Sequence, residues 1–131
     1  MIEKVDHVGI AVKNLDESLK LYRDVLEMDI EVETTPRNKL AFVQAGGTEL
    51  ELLEDLKSDG PIAKYIEKRG EGIHHICFKV DNITEALQRL KQQGIELIDA
   101  QPRPGSRNSQ VAFIHPKGTH GVLIELCQRD A

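Results

Sequence analysis

"HVGIAVKNLDESL", residues 7–19, is repeated 68 residues later as "HICFKVDNITEAL", residues 75–87. Five of the thirteen aligned positions are identical, and several of the others pair one apolar residue with another. Two further pairs follow in the same order: "LAFV" (40–43) with "VAFI" (111–114), and "LELL" (50–53) with "LIEL" (123–126). Because only two copies are present, the repeat predicts a duplicated half-domain rather than a solenoid.

Each copy is predicted to be a βαβββ module. Alternating apolar residues indicate a strand at the start of each copy, and Asn14 or Asp16, like Asn82 or Thr84, offers a helix N-cap. Further strands are predicted at 28–34, 39–45 and 48–54, and again at 95–100, 110–115 and 121–127. The first helix is predicted to present one apolar stripe, made of Leu15, Leu19, Leu21, Tyr22, Val25 and Leu26.

The 131 residues are predicted to form one α+β domain, 1–131, whose two modules build a curved mixed sheet around a metal-binding cleft. Module one spans 3–56 and module two spans 72–128. A linking helix is predicted at 58–71, because Pro61 suits a first helical turn and Gly70 a helix stop.

Charge and composition exclude several classes of partner. The net charge is −5 and aromatic residues make up 4% of the chain, which argues against nucleic acid and anionic membranes. No apolar run approaches the length of about 20 residues that a membrane span needs. The charged start "MIEKVDHVGI" does not resemble a signal peptide, and two cysteines make no disulfide framework, so a cytoplasmic location is expected.

Strand parity brings four polar residues to one face of the predicted sheet. Neighbouring residues on a strand point to opposite faces, so His75 lies opposite the apolar Ile76 and Phe78, whereas His74 shares their side. The same rule places His7, Glu51 and Glu125 on the face away from the helices. If the two modules curl toward a shared concave surface, the four side chains converge.

Two imidazoles and two carboxylates are ligands for a divalent metal ion. Placing two carboxylates on one concave face without a cation would cost several kcal/mol of repulsion and desolvation. A single histidine or glutamate on a strand is usually a solvent-exposed polar residue of a sheet that is buried on its other face only. The equivalent placement of all four in the repeat therefore favours a metal site.

Four motifs of the chain resemble the vicinal oxygen chelate superfamily, also described as the glyoxalase/bleomycin resistance/dioxygenase superfamily. They are "DHVGIAV", "ELELLE", "GIHHICFKVDNI" and "HPKGTHGVLIEL", and the resemblance covers 3–128. The stretch "PIAKYIEKRGEG" and the closing "HPK…GVLIEL" are similar to the methylmalonyl-CoA epimerase family within it. The resemblance implies paired βαβββ modules around a metal held by His7, Glu51, His75 and Glu125.

The resembled family interconverts (2R)- and (2S)-methylmalonyl-CoA by removing the proton at C2, which leaves an enolate that a divalent cation stabilises. Four protein ligands on a six-coordinate ion leave two positions for a bidentate substrate. These open positions favour Co²⁺, Ni²⁺, Mn²⁺ or an expanded Zn²⁺ over a closed structural zinc site, and Co²⁺ is the ion expected first among them. The partner is then an acyl-CoA, and a homodimer is expected because homodimers are common in the superfamily.

The resemblance implies that Glu125 is both a metal ligand and a base. The second base of the family is a glutamate on the preceding strand of the first module, but that strand here reads "NKLAFVQ" (38–44) and has no carboxylate. Glu49, which shares the face of Glu51, is one replacement, and a water on the metal is another.

Several other residues receive weaker predictions. Arg107 in the irregular stretch 101–110 and Lys117 are predicted to contact the CoA phosphates, as Arg103 could also do. His74 is expected to be structural, and His115 and His120 are expected to lie in a solvated turn. Cys77 and Cys127 are expected to be small apolar fillers.

Three other functions stay open at the level of the sequence. One is a lactoylglutathione lyase-like isomerase, which would use the same four ligands on a glutathione hemithioacetal. Another is a non-heme iron dioxygenase, although its set of two histidines and one carboxylate does not account for Glu51. The last is a metal-free binding protein of the same fold. A related acyl thioester is also an open substrate.

Overall fold

The computed structural model describes residues 1–129 and divides into two compact units. The N-terminal unit is His7–His74, and the C-terminal unit combines Met1–Asp6 with the chain from His75 onward. The long first strand, β1 (Ile2–Ala11), contributes its part up to Asp6 to the C-terminal unit and its remainder to the N-terminal unit. Each unit contains the β-α-β-β-β order that the repeat predicts.

The N-terminal unit contains β1 from His7 onward, α1 (Leu15–Leu19), a π-helical segment (Lys20–Val25), β2 (Ile30–Thr34), β3 (Asn38–Ala45), β4 (Thr48–Asp55) and α2 (Pro61–Arg69). Its strands lie in the order β2-β3-β4-β1. β1 runs parallel to β4, and the β2–β3 and β3–β4 pairs are antiparallel. The sheet of this unit is therefore mixed.

The C-terminal unit contains β5 (Gly72–Val80) from His75 onward, α3 (Ile83–Gln92), β6 (Arg103–Pro104), β7 (Ser109–Ile114), a 3₁₀ turn (Pro116–Gly118) and β8 (Ile124–Arg129). Its strands lie in the order β1-β5-β8-β7-β6. β5 runs parallel to β8, and β7 is antiparallel to both of its neighbours. The first and last strands of each module thus pair in parallel, as the repeat requires.

Helices cover the apolar faces that strand parity predicts. In the N-terminal unit α1 buries Leu15 and Leu19 against strand residues such as Val43 and Leu52. In the C-terminal unit α3 buries Ile83, Ala86 and Leu87. These side chains belong to one core cluster with the strand residues Val80, Ala112, Ile114 and Leu126. In addition, α2 covers part of the opposite face of the N-terminal sheet, where it packs on Ala11, Leu40, Phe42 and Leu53 through Ile62.

The linking helix forms where the sequence predicts it, although it is shorter than 58–71. It begins at Pro61, and it ends before Gly70, whose φ of 78° suits a residue without a side chain. The Asp55 carboxylate accepts hydrogen bonds from the backbone N–H groups of Ile62 and Ala63, at 2.7 and 2.9 Å. These bonds satisfy two donors that the first turn of a helix leaves without a partner.

The N-terminus of the first helix in each module is capped in the same way. Asn14 Oδ1 accepts from the backbone N–H of Glu17 at 2.9 Å, and Asn82 Oδ1 accepts from Glu85 at 3.0 Å. Of the N-cap residues that the sequence offers, the asparagine is therefore the one used in both modules.

A second acceptor reaches each of these helices from the last strand of its own module. Glu54 Oε1 on β4 accepts from the N–H of Leu15 at 2.7 Å, and Gln128 Oε1 on β8 accepts from Ile83 at 2.8 Å. Glu54 and Gln128 are 74 residues apart, which is also the spacing of Glu51 and Glu125. Both bonds tie a helix to the strand that carries a predicted metal ligand.

Glu54→Ala is expected to lower the free energy of unfolding by about 1 kcal/mol, because it leaves the Leu15 N–H without its acceptor at a partly buried helix end. Glu54→Gln keeps an acceptor oxygen of similar reach and is the matched control. Urea unfolding monitored by circular dichroism measures the difference. Equal stability of the two variants would show that this bond contributes nothing.

The predicted stripe of the first helix is wrong beyond Leu19. Leu21, Val25 and Leu26 are exposed, and Tyr22 alone of the later residues packs on the core. The cause is the change from α-helix to π-helix at Lys20, where Leu26 N donates to Leu21 O at 2.8 Å. An i→i+5 turn holds more residues than an α turn, so the following side chains rotate away from the α-helical stripe.

The predicted strand 95–100 does not form; Leu97 makes only an isolated bridge with Ile114. The N–H groups of Ile98 and Asp99 both point to Phe113 O, at 3.0 and 3.2 Å, so the regular ladder stops there. Asp99 Oδ2 in turn accepts from Phe113 N at 2.9 Å. The edge strand is instead the short β6, which follows Pro102.

The last strand begins at Ile124, not at 121 as predicted. His120 and Gly121 have φ values of 59° and 92°, which belong to a turn and not to a strand. Gly121 N donates to Pro116 O at 2.9 Å and closes this turn. Among residues 1–129, none of the helices combines the length and apolar character that crossing a bilayer requires.

Candidate active site

His7 and Glu51 form a buried pair in the N-terminal unit. His7 Nε2 lies 3.6 Å from Glu51 Oε2, and both residues are buried. His7 is on β1 and Glu51 on β4, where the strand partner of Glu51 is Gly9. The pair therefore joins the two parallel strands of the module across one face of its sheet.

His75 and Glu125 form the equivalent pair in the C-terminal unit. His75 Nε2 lies 3.1 Å from Glu125 Oε1, and both residues are again buried. The strand partner of Glu125 is Cys77, two residues after His75, just as Gly9 is two residues after His7. The repeat thus reproduces the geometry of the pair as well as its residue types.

The neighbouring His74 has a different environment from His75. Its ring meets the ring of Tyr65 on α2 in a T-shaped contact with 4.9 Å between centroids. Tyr65 also donates its hydroxyl to the carbonyl of Ile73 at 2.8 Å. His74 is part of the contact between α2 and the start of β5, which agrees with the structural role expected for it.

The donor atoms of each pair fit a divalent cation. Two ligand atoms that each lie about 2.1 Å from one ion at a right angle are about 3 Å apart. The nitrogen–oxygen separations of 3.1 and 3.6 Å are close to this value. Each carboxylate is only 8% exposed, and a cation would offset the cost of burying its charge.

A phenylalanine stands beside each pair in the strand register. Phe42 on β3 is the partner of Glu51, and Phe113 on β7 is the partner of Glu125. The ring of Phe113 meets the ring of His75 edge to face, at 5.7 Å between centroids. Sequence reasoning missed these rings as site residues, although the aligned "LAFV" and "VAFI" carry both.

Glu49 lies on β4, two residues before Glu51, and its strand partner is His7. It is half-buried, and its carboxylate accepts a hydrogen bond from the side-chain amide of Gln44 on β3. The amide fixes the position of a carboxylate on the Glu51 face. Sequence reasoning placed Glu49 on this face but did not foresee Gln44.

A family model described as the Glyoxalase/Bleomycin resistance protein/Dioxygenase superfamily matches residues 6–113. The chain belongs to this superfamily. Its α+β fold of repeated modules is the fold of the superfamily, as the sequence predicts.

Two of the three relatives compared below carry the name of one branch of the superfamily. It is 42% identical to the uncharacterized protein YqjC of Bacillus subtilis, over 97% of this chain and 93% of that one. It is 39% identical to the mitochondrial methylmalonyl-CoA epimerase of Mus musculus, over 95% and 72%. A structure of a Streptomyces coelicolor methylmalonyl-CoA epimerase variant in complex with 2-nitronate-propionyl-CoA matches with a TM-score of 0.92 and 31% identity, over 100% and 97%. The resemblance to this branch is thereby confirmed.

Two basic residues predicted to bind substrate lie in exposed turns of the C-terminal unit. Arg107 is at the tip of the β6–β7 hairpin, where it and Asn108 have φ values of 56° and 58°. Lys117 is in the 3₁₀ turn, and its N–H donates to His115 Nδ1 at 3.1 Å. The two histidines of this segment therefore behave differently: His115 caps the turn, whereas His120 is exposed.

Cys77 and Cys127 are fully buried and pack with Val111. A hydrogen bond between the two thiols, reinforced by burial, raises the pKa of Cys77 far above its ordinary value. Cys77 therefore stays protonated, and the environment agrees with the expected role of an apolar filler.

Proposed function

We propose that the chain interconverts (2R)- and (2S)-methylmalonyl-CoA. The observation that carries the proposal is similarity along nearly the whole chain to proteins named methylmalonyl-CoA epimerase. The two buried His–Glu pairs support it, since they supply a carboxylate for proton removal and ligands for an ion that would stabilise the enolate. The substrate class is an acyl-CoA whose C2 lies between a thioester and a carboxylate.

The proposed ligands of a divalent metal ion are His7, Glu51, His75 and Glu125. Their burial and the separations within each pair support this assignment. The bound ion would act as a Lewis acid that stabilises negative charge on the thioester oxygen. Co²⁺ is the proposed ion, with Zn²⁺, Ni²⁺ and Mn²⁺ as alternatives that metal analysis of the purified protein distinguishes.

Glu125 is proposed to remove the C2 proton on one face of the substrate. The C2–H bond breaks, the proton passes to a carboxylate oxygen, and the electron pair delocalises into the thioester as an enolate. Burial limits the hydration of the carboxylate, and the contact with His75 holds it in one place. A base that is poorly hydrated and fixed in position is a stronger acceptor for this step.

Inversion at C2 needs a second group that delivers a proton to the opposite face. Glu49 is proposed for this role, because it is half-buried on the Glu51 face and held by the Gln44 amide. The proton it gives to C2 forms the new C–H bond, and solvent then returns a proton to Glu49 and takes one from Glu125. In the reverse direction Glu49 removes the proton and Glu125 returns it.

Arg107 and Lys117 are proposed to bind phosphate groups of CoA. Both are cationic and exposed in turns of the C-terminal unit, so each can reach an extended ligand. The homodimer and the cytoplasmic location stay predictions, the first of which sedimentation equilibrium would test.

The purified protein is expected to incorporate deuterium at C2 of methylmalonyl-CoA in D₂O while converting one epimer to the other. NMR follows both processes in the same sample. EDTA is expected to stop them, and added Co²⁺ to restore them, because the proposed ligands must hold an ion for the enolate to be stabilised. Protein treated with EDTA and then dialysed, without added metal, is the control.

Absence of exchange in protein that contains bound metal would contradict the epimerase proposal. The hemithioacetal of glutathione would then be the next substrate, as for a lactoylglutathione lyase-like isomerase. Absence of both exchange and bound metal would favour a metal-free binding protein and would contradict the ligand assignment.

A further inference from the structure

Arg103 is held above the ring that contacts His75. Its guanidinium carbon lies 5.5 Å from the centroid of the Phe113 ring, within the range of a cation–π interaction. The same ring meets His75 edge to face. Two successive ring contacts therefore connect the guanidinium of Arg103 to an imidazole of the proposed metal site, all within the C-terminal unit.

Asp99 fixes the guanidinium from a second side. Arg103 Nε lies 3.3 Å from Asp99 Oδ1, while Asp99 Oδ2 accepts from the backbone N–H of Phe113 at 2.9 Å. The carboxylate is thus attached to the same residue on which the guanidinium stacks. This arrangement limits the rotamers of Arg103 before any ligand arrives, which reduces the entropy lost on binding.

The terminal nitrogens of Arg103 are available to a ligand. The bond to Asp99 uses Nε, and within residues 1–129 no other side chain or carbonyl accepts from this guanidinium. The side chain is 52% exposed although it is held at two points. A guanidinium with its terminal nitrogens open presents a fork that matches a carboxylate or a phosphate.

The proposed substrate is negatively charged and would be attracted to this guanidinium. The chain has a net charge of −5, whereas an acyl-CoA with a C2 carboxylate is a polyanion. A fixed cation beside the site would offset the resulting repulsion. Arg23 and Arg37, by comparison, pair with Asp24 and Asp59 on exposed surface.

We propose that Arg103 is a specificity-determining residue that binds an oxyanion of the acyl-CoA substrate. The proposal rests on the proposed epimerase function and adds a residue to it. The oxyanion is a carboxylate on C2 or a phosphate of CoA, which a guanidinium binds through the same two-pronged hydrogen bonds. Phe113 and Asp99 are positioning residues that hold the fork.

Arg103→Gln is expected to raise the KM for methylmalonyl-CoA about tenfold or more with kcat unchanged, because a charge-assisted contact made equally in the ground and transition states is lost. Arg103→Lys keeps the charge but not the planar guanidinium, so its KM should lie between those of Arg103→Gln and the unchanged protein. Arg89→Gln, an exposed arginine on α3, removes the same charge elsewhere in the unit and is the control.

Methylmalonyl-pantetheine, which lacks the nucleotide phosphates, identifies the oxyanion. If the KM effect of Arg103→Gln persists with this thioester, Arg103 binds the C2 carboxylate. If the effect disappears, Arg103 binds a phosphate of the nucleotide. Either result supports the proposal, and both come from the same pair of variants.

A KM for Arg103→Gln equal to that of Arg89→Gln would overturn the proposal, provided the unchanged protein epimerises methylmalonyl-CoA. Failure of the unchanged protein to exchange the C2 proton would instead contradict the proposed function itself. Metal content serves as a second readout, since a variant that only disturbed the fold around His75 would lose bound Co²⁺ along with activity.

Discussion

Glu125→Gln is expected to slow epimerisation of methylmalonyl-CoA by about a hundred- to ten-thousand-fold, the range in which general bases contribute. Glutamine keeps the shape of the side chain and one ligand oxygen but cannot accept the C2 proton. Burial beside His75 leaves little room for water to replace the carboxylate. The rate should be measured with saturating Co²⁺, so that weaker metal binding does not account for the loss.

Glu51→Gln is the matched control, because Glu51 occupies the equivalent position of the repeat and has the same burial. It is expected to weaken binding of the ion but to keep most of the activity once Co²⁺ is saturating, since Glu51 is proposed as a ligand only. An equal loss of kcat in both variants would show that ligation explains the effect of Glu125→Gln, and the assignment of Glu125 as a base would be wrong.

Glu49→Gln completes this comparison by separating proton exchange from inversion. With Glu125 intact, one epimer should still exchange its C2 hydrogen with D₂O, because Glu125 can remove and return a proton on its own face. Epimerisation should be lost, since delivery to the other face requires the second group. Unchanged epimerisation in Glu49→Gln would exclude Glu49 and require another second acid.

The duplicated module could be predicted because its signals are local and occur twice. Asn14 and Asn82 each cap a helix within four residues, and strand alternation places His7 and His75 on equivalent faces. A signal of this kind needs no knowledge of distant contacts.

The wrong element predictions occur where distant contacts decide the backbone. Residues 95–100 alternate like a strand. In the structure, however, the carbonyl of Phe113 accepts from both Ile98 and Asp99, and its N–H donates to the Asp99 side chain, which is not the pattern of a regular strand ladder. The N–H of Leu15 finds Glu54 thirty-nine residues later. No periodicity in the sequence encodes such bonds, because they depend on which strand lies beside the helix.

The candidate site shows the same limit. Parity predicts the face of each glutamate but not the partners that orient it, so Gln44 beside Glu49 could not be foreseen. Arg103 looked like one of several basic residues in an irregular stretch of the sequence. Its stacking on Phe113 depends on the short strand β6, which was itself missed.

Arg129→Met is expected to lower the free energy of unfolding by about 1.5–3 kcal/mol, because it removes the charge-assisted hydrogen bonds that Arg129 donates to the buried Asp6 carboxylate. Arg129 Nε and Nη2 each lie 2.9 Å from an oxygen of Asp6, in a two-pronged pair that joins residues 123 positions apart. The Asp6 side chain is 7% exposed and that of Arg129 20%. A third bond, from Nη1 to Ser106 O at 3.4 Å, attaches the β6–β7 hairpin.

The pH dependence of this loss follows from the sign of the pKa shift. The hydrogen bond to Asp6 raises the pKa of Arg129 above its ordinary value, although burial opposes the shift. A raised pKa means that the arginine contributes stability at every pH below its unfolded value and loses it only above that value. The ionisation of Arg129 therefore does not make the free energy of unfolding depend on pH between about pH 6 and pH 9.

Urea unfolding in the presence of EDTA measures the effect without a contribution from bound metal. Lys20→Met is the control, because Lys20 pairs with Glu17 at 3.1 Å on open surface and should change stability by less than about 0.5 kcal/mol.

Asp6→Asn combined with Arg129→Met should cost less stability than the sum of the two single changes, as expected for residues that interact directly. A loss below about 1 kcal/mol in Arg129→Met would contradict the prediction, since the two hydrogen bonds to Asp6 would then contribute little to stability. Asp6 directly precedes His7, and Arg129 follows Glu125 by four residues. Loss of stability with full activity at low temperature would therefore show that the ion pair supports the fold and not the proposed site.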